Sequence, residues 1–403
     1  MLQFILSSLF LALIFIRPFI CSVAYPVKEV IFSWALIITC VFLLKSNLGS
    51  SKYPRNPIFF FIVLFTIAIA ISTLFSLAPQ NSLMHIHKYL CVFLVFGVCS
   101  TAKNTFQKIL LLALILSASF VSLQAIMWVL RGSGSLLQFL NKQNISYDFA
   151  FELISRKRAF APFILPAVLG GYLIMALPLS ISYFISNYKD VDVPLFKRPP
   201  INSLLSIPIV LIFIALVLTK AIGPIISLAL AFIVFSLWKR SKQKKFLLCS
   251  VLILGVIIIL ILITRSYNVG YWRNPIYSLG QRQIYWYNTL QIIAKHPVLG
   301  TGLGNLPFVG SKFSHNSYLQ IWAEAGIFGL VALCGIILCT LKTCFSKQHT
   351  SDALFSGLCI ANLAFIFHNI IDFTFFLPEV SFLWWIIIGL LHNYHNNNIT
   401  AEA

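Results

Sequence analysis

Residues 318–341 read YLQIWAEAGIFGLVALCGIILCTL, a stretch with one charged side chain, Glu324. A helix needs about 20 predominantly apolar residues to cross the hydrocarbon core of a membrane. Similar runs recur along the 403-residue chain, in which 59% of residues are hydrophobic. Only 10% are charged, against about a quarter in soluble domains. The repetition predicts an all-α polytopic membrane protein with a single integral membrane domain over residues 1–403.

Twelve transmembrane helices are predicted, of which the fourth is short and the seventh and eighth are nearly fused. They lie near residues 4–22, 27–46, 57–76, 88–101, 108–130, 164–187, 203–219, 221–238, 246–264, 318–341, 353–369 and 375–392. The first has no positive segment before it and no small-residue cleavage site, so we expect a retained helix rather than a signal peptide.

Lysine and arginine in short loops predict the side of the membrane, because cationic segments resist translocation. With the N-terminus inside, the short loops assigned to the cytoplasm hold about half of the 29 basic residues. These loops are 45–55, 101–108, 188–200, 239–245 and 342–352. We therefore expect both termini in the cytoplasm.

This topology leaves two long external loops, 131–163 and 265–316, each expected to carry short interfacial helices. The second contains no acid, and its basic residues are Arg265, Arg273, Arg282, Lys295 and Lys312. Two interpretations stay open. The loop lies against anionic lipid headgroups, or it forms a binding site for an anionic ligand at the outer face of the membrane.

Several classes of site are disfavoured by the sequence. The nine cysteines lie in or beside predicted spans without a CxxC pair, which is typical of small apolar residues. The net charge of +19 is spread over loops on both faces, so no nucleic-acid partner is expected. Asp190 and Asp192 form a DxD pair, but on the predicted cytoplasmic side, opposite the basic loops. We expect no metal and no cofactor.

Residues 281–295, QRQIYWYNTLQIIAK, predict an amphipathic helix that lies flat at the interface. Its apolar stripe is Trp286, Leu290 and Ile293. Arg282 lies one turn before Trp286 on the same side, so its guanidinium can meet phosphates at headgroup level.

The next stretch, GTGLGN at 300–305, is not a dinucleotide fingerprint, since its spacing is G-x-G-x-G and no βαβ unit surrounds it. Glycine permits sharp backbone turns. We expect the three glycines to form a flexible hinge between the interfacial helix and the tenth span.

Asn316, Gln320 and Glu324 recur along one side of that span. Polar groups on a membrane helix usually turn toward a partner or a wet cavity. His315 would lie at the mouth of such a cavity. It is either an interfacial histidine bonded to a backbone carbonyl or a general base with a pKa near the working pH. We favour the base, because Arg282 and the three polar residues are expected to converge on it.

A family resemblance runs through residues 156–391. Its main signature comprises Arg282, Trp286, His296, Pro297, Gly300, Gly302, Gly304, His315, Asn316, Tyr318, Leu319, Gln320, Glu324, Gly326 and Gly329. Further patches are RAFAPFILPAVLGGYL at 158–173, LTKAIGP at 218–224 and the pair His368 and Asp372. Together they resemble the O-antigen ligase and polymerase superfamily. Ile222 stands where that family often has arginine, so we expect Lys220 to supply the cation there.

The resemblance implies a GT-C-like membrane glycosyltransferase of the bacterial inner membrane, with its active site facing the periplasm. Such enzymes move a glycan from an undecaprenyl-diphosphate carrier to an acceptor, without metal or cofactor. By this resemblance His315 and Arg282 are the predicted catalytic residues. The predicted diphosphate- or substrate-binding residues are Arg158, Lys220, Arg273, Asn316, Gln320 and Glu324.

Three activities within the superfamily stay open. The first is O-antigen ligation to lipid A-core, favoured because the long second loop ends directly in H-N-x-Y-L-Q. The others are polymerisation of carrier-linked repeats and transfer to Ser or Thr of a protein. A transporter or flippase of lipid-linked anionic molecules is the alternative from another class. The predicted partners are therefore the carrier-linked glycan, lipid A-core or another glycan acceptor, and membrane lipids.

Overall fold

The computed structural model describes residues 1–47, 57–131, 157–189, 206–239, 277–306, 311–346 and 352–402. Twelve α-helices lie within these ranges, and no strand does. They are α1 (Leu2–Ile16), α2 (Pro26–Asn47), α3 (Pro57–Leu74), α4 (Pro79–Ser100), α5 (Asn104–Arg131), α6 (Pro166–Lys189), α7 (Ser206–Leu218), α8 (Ile222–Lys239), α9 (Tyr277–Lys295), α10 (Ser317–Cys344), α11 (Ala353–His368) and α12 (Pro378–Glu402). Eight of the described helices are long and apolar enough to cross a membrane. The predicted all-α polytopic membrane fold is confirmed.

Eleven of these helices correspond to predicted spans, and α9 is the predicted amphipathic helix. The predicted ninth span, 246–264, lies outside the described residues. The short fourth span was wrong at its start, because α4 begins at Pro79 and is 22 residues long. Polar side chains such as Asn81 and His85 lower the hydropathy of its first turns, and the helix nevertheless continues through them.

The most buried part of the bundle is formed by α6, α11 and α12. α11 packs against both α6 and α8, while α12 packs against α4. Trp384 and Trp385 of α12 are each 1% exposed. The Trp384 indole donates to Asn362 Oδ1 over 2.8 Å, and the Asn362 amide donates to Thr340 Oγ1 over 3.2 Å. These three buried side chains of α10, α11 and α12 thus form hydrogen bonds with one another, as the absence of water in the hydrocarbon region favours.

A second polar network joins the other end of the chain to α12. Arg17 is 2% exposed, and its Nη2 lies 3.8 Å from both Glu29 Oε1 and Glu379 Oε2. Glu29 also forms a 2.9 Å contact with His87 Nε2. Buried charges of this kind need partners. The network therefore fixes α1, α2, α4 and α12 relative to one another.

The helix α10 is broken at Gly326, whose φ of 69° and ψ of −174° are not helical. The connection from α9 crosses this break. Thr301 N donates to Ala323 O over 2.9 Å, Gly302 N donates to Glu324 O over 3.0 Å, and Ile327 N donates to Pro297 O over 3.1 Å. These bonds satisfy backbone groups that the break would otherwise leave unpaired.

The expectation of a flexible hinge at the three glycines is therefore wrong. Gly300, Gly302 and Gly304 have φ values of 73°, 92° and 71°, in the region that favours glycine. The sharp turns are present, but the segment is held by hydrogen bonds to α10 and by Leu77 N, which donates to Thr301 O over 3.1 Å. The glycines allow close backbone approach rather than motion.

Replacing Gly326 by alanine should lower the stability of the protein. An added methyl group would overlap the Val298 carbonyl, and the left-handed φ alone costs about 1–3 kcal/mol for a residue with a side chain. Thermal unfolding of the purified protein in detergent measures the loss. Gly280→Ala is the matched control, because nothing lies within 4 Å of the added methyl group and alanine is favoured in a helix. Equal unfolding temperatures for the two variants would contradict this account of the break.

Candidate functional site

The predicted residue Arg282 lies on α9 and reaches the turn after α11. Its Nη2 is 3.6 Å from Asp372 Oδ2, and His368 Nε2 is 3.8 Å from the same oxygen. Asp372 is 1% exposed and His368 fully buried, whereas 17% of the Arg282 side chain is exposed. We call these three residues the Arg282 cluster. It presents one cation to the surroundings while its acid stays buried.

His315 is held beside this cluster by aromatic rings. Its ring stacks on Tyr285 at 5.3 Å between centroids and meets the edge of Phe373 at 4.7 Å. The Trp286 indole donates to the His315 carbonyl over 3.2 Å, and the backbone there has a φ of 55°. The buried Nδ1 forms no hydrogen bond with the described residues. Within the described part of the chain, its contacts thus leave one ring nitrogen without a hydrogen-bond partner.

Burial lowers the pKa of His315 to about 4, and the positive charge of Arg282 acts in the same direction. The negative charge of Asp372 opposes the shift. The ring is therefore neutral at pH 7 and can accept a proton. This pKa is lower than the value near the working pH that we expected from the sequence.

The sequence patches at 158–173 and 218–224 both reach the end of α11, near the Arg282 cluster. A methyl group in place of the Gly171 hydrogen would lie 2.8 Å from the His368 ring. One at Gly223 would lie 3.0 Å from Ile371 Cδ1. Small residues on α6 and α8 thus let both helices approach the end of α11, as small residues do in membrane helix interfaces.

Arg158, in the segment before α6, contacts the turn between α7 and α8 that carries Lys220. Arg158 Nε donates to the Thr219 carbonyl over 2.9 Å, and Ala159 N donates to the Leu218 carbonyl over 2.9 Å. Lys220 has a φ of 49°. The structure therefore brings together these two predicted cations. Arg273 and the Asp190–Asp192 pair lie outside the described residues.

Asn316, Gln320 and Glu324 make contacts that shape α10 and the loop before it. Asn316 Oδ1 caps the helix by accepting from Tyr318 N and Leu319 N, each over 3.0 Å. Gln320 Nε2 donates to Glu324 Oε1 over 2.8 Å. Glu324 Oε2 accepts from Gly304 N over 3.1 Å, and Gln320 Oε1 accepts from Ser314 N over 3.1 Å. None of these contacts joins them to Arg282.

Gln320 and Glu324 instead line a cavity of about 480 Å³ between α4, α10, α12 and the loop that ends at His315. His85 and Lys88 of α4 and Lys312 of the loop also line it. We call it the polar cavity. Its wall residue Phe313 stacks on Phe373 at 4.2 Å, and Phe373 in turn contacts His315. One aromatic pair therefore separates the polar cavity from the His315 ring.

His85 and Lys88 were not among the site residues predicted from the sequence. The predicted fourth span began at residue 88, so these residues fell at or beyond its edge. A signal was present, since Asn81, His85 and Lys88 recur at positions i, i+4 and i+7 of a continuous helix.

The bundle and its polar end define a polytopic membrane protein with a cationic site built on α9, α10 and the turn after α11. Residues 207–334 match the family model described as O-Antigen ligase, the superfamily that the sequence motifs resemble. The match spans about a third of the 403-residue chain and includes Lys220, Arg282, His315 and Glu324. No curated protein matches the chain.

Acid should destabilise the protein partly through His315. Its pKa is about 4 in the fold and 6.5 ordinarily, so between these values the unfolded chain binds more protons and stability falls as the pH is lowered. His315→Phe keeps an aromatic ring but removes the titration. We expect its unfolding temperature to fall less than that of the wild type between pH 6.5 and 4, while His296→Gln serves as the control. An unchanged pH dependence in His315→Phe would refute the assignment.

Proposed function

We propose that the protein is a glycosyltransferase that moves a glycan from an undecaprenyl-diphosphate carrier to an acceptor hydroxyl at the periplasmic face of the bacterial inner membrane. O-antigen ligation to lipid A-core is the first candidate reaction. The observation that carries this proposal is the position of Arg282 beside His315, both within the region that matches the O-antigen ligase family. The polar cavity beyond Phe313 supplies room for a sugar substrate.

Arg282 is suited to stabilise the leaving group. When the bond between the anomeric carbon and the diphosphate oxygen breaks, the electron pair and negative charge stay on the diphosphate. A guanidinium has five N–H donors, so the one ion pair that Arg282 forms among the described residues, with Asp372, leaves donors for phosphate oxygens. Because the site is largely buried, the attraction is weakened less by water than it would be at an exposed surface.

His315 is suited to take the proton of the acceptor. The acceptor oxygen forms a bond to the anomeric carbon as the diphosphate leaves, and its proton passes to the neutral ring. Asp372 raises the pKa of this ring and so favours the imidazolium that results. The ring then releases the proton to water. Stacking on Tyr285 holds its orientation during the reaction.

The remaining predicted residues divide between the two substrates in this proposal. Arg158 and Lys220, with Arg273, would bind the diphosphate as additional cations. Gln320 and Glu324 line the polar cavity and would accept or donate hydrogen bonds to sugar hydroxyls. Asn316 acts through the helix cap that places His315 next to the first turn of α10.

Loss of Arg282 should abolish most transfer without unfolding the protein. We expect Arg282→Ala to reduce the rate by roughly 100-fold or more, the scale seen when one transition-state donor is removed. Lys28→Ala is the charge-matched control, since Lys28 is exposed and its ammonium lies over Tyr25. Glycan transfer by reconstituted protein measures both variants. Full activity in Arg282→Ala, or equal loss in Lys28→Ala, would contradict the assigned role.

Parallel assays with three acceptors identify the one to which the protein transfers the glycan. Purified protein in vesicles receives undecaprenyl-diphosphate glycan together with lipid A-core, a second carrier-linked repeat or a serine-containing peptide. The ligase proposal requires lipid A-core to gain the mass of the glycan. A gain on the repeat indicates a polymerase, and a gain on the peptide indicates protein glycosylation. Movement of the lipid-linked glycan across the vesicle without transfer would replace the proposal with transport.

A further inference from the structure

The polar cavity contains two cations to which the proposed reaction assigns no role, Lys88 and Lys312. We propose that these lysines bind a carboxylate or phosphate group on a sugar of the acceptor glycan, so that the polar cavity selects an acidic acceptor. The inference rests on the proposed function, because it concerns the second substrate of that reaction. The diphosphate of the donor stays at Arg282, outside the polar cavity.

Both lysines lack an acidic partner in direct contact. Within the described part of the chain, neither Lys88 nor Lys312 belongs to an ion pair. Lys88 lies on α4, a candidate membrane span, where a cation is costly unless it faces a partner or a wet cavity. Lys312 comes from the loop before α10, so two distant parts of the chain each bring a cation to one cavity. An anion in the cavity is attracted by both.

The carboxylates nearest to Lys88 already have partners of their own. Glu324 lines the polar cavity, and each of its two oxygens accepts a hydrogen bond. Glu29 and Glu379 do not line the cavity, and each has an oxygen 3.8 Å from Arg17. All three acids act on Lys88 electrostatically, which lowers the cost of keeping it charged. None of them forms an ion pair with it, so its ammonium is available to an anionic ligand.

The walls of the polar cavity suit a sugar ring. Its volume of about 480 Å³ lies within the range of about 300–1,000 Å³ that is typical of small-molecule sites. Such sites combine apolar walls with a few polar groups that fix orientation. Here the amides of Asn81 and Gln320 can meet hydroxyl groups, while the rings of Tyr89 and Phe375 supply apolar surface. An acidic sugar offers both kinds of surface and the missing negative charge.

The position of the polar cavity favours the acceptor over the donor. In a direct displacement, the attacking oxygen approaches the anomeric carbon from the face opposite to the leaving oxygen. The leaving diphosphate is proposed to lie at Arg282, and the polar cavity lies on the other side of Phe313 and Phe373. Phe373 also contacts the His315 ring. A sugar in the cavity is therefore a neighbour of the reacting sugar, whose hydroxyl lies beyond Phe313.

Binding of small probes tests the polar cavity without any transfer reaction. The probes are methyl glucuronide, methyl glucoside 6-phosphate and the neutral methyl glucoside. Saturation-transfer NMR with the full-length protein in a neutral detergent gives the Kd of each. We expect at least one charged probe to bind about tenfold or more tightly than the neutral one. Lys88→Met and Lys312→Met should each remove most of this preference, and Lys88→Arg should retain it. Lys312 lies in a loop, so its variant remains informative if Lys88→Met does not fold.

Two controls separate the polar cavity from other cationic sites. Lys103→Met removes an exposed lysine just beyond the other end of α4 and should leave the preference unchanged. Arg282→Ala should also keep it, because Arg282 does not line the cavity. The inference is overturned if neither charged probe binds the wild type more tightly than methyl glucoside. A loss of preference in Arg282→Ala as large as in the lysine variants would also overturn it.

Transfer kinetics decide which substrate carries the acidic sugar. Four reactions combine a donor glycan with or without glucuronic acid and an acceptor glycan with or without it. We expect the acidic acceptor to have a KM about tenfold lower than the neutral one, with little change in kcat, and Lys312→Met to abolish the difference. A preference that follows the charge of the donor, or transfer to a serine-containing peptide alone, would overturn the inference. A wild type that transfers glycan to no acceptor would refute the proposed function instead, and probe binding would still test the cavity.

Discussion

Backbone hydrogen bonding across the break in α10 is the constraint on which the polar end of the protein depends. A membrane helix cannot leave amide and carbonyl groups unpaired, because no water is available in the hydrocarbon region. The segment from Pro297 to Gly304 satisfies them. In doing so it fixes the C-terminal end of α9 against α10. Arg282 lies near the start of α9, and α10 begins next to His315. The same segment closes one side of the polar cavity through Gly304 and the Glu324 carboxylate.

This arrangement separates two kinds of chemistry by one aromatic pair. The Arg282 cluster and His315 lie on one side of Phe313 and Phe373, and the polar cavity lies on the other. The first side offers a cation and a neutral imidazole, which suits a leaving group and a proton. The second offers lysines and a carboxylate in a space large enough for a sugar. A transfer reaction needs both within reach of one substrate.

The glycine run and Lys88 show where sequence reasoning was limited. Spacing alone showed that the glycines allow sharp turns, and their positive φ values agree with this. It could not show that the turns are held by α10, since the partner backbone lies more than 20 residues away. Lys88 was overlooked because a hydropathy window treats polar residues as the end of a span. In the fold, that polar end faces a cavity rather than lipid.

The sequence by itself determined the membrane-spanning helical fold, because hydrophobicity and helix length act locally and are readable within one run of residues. It also indicated Arg282 and His315 as a pair worth attention. Only the tertiary structure decided that Asp372 and His368 complete their surroundings while Gln320 and Glu324 face a separate cavity. Arg282 and Asp372 are 90 positions apart, and their contact depends on how α9 packs against the end of α11. Such contacts arise from packing between helices, which no local pattern encodes.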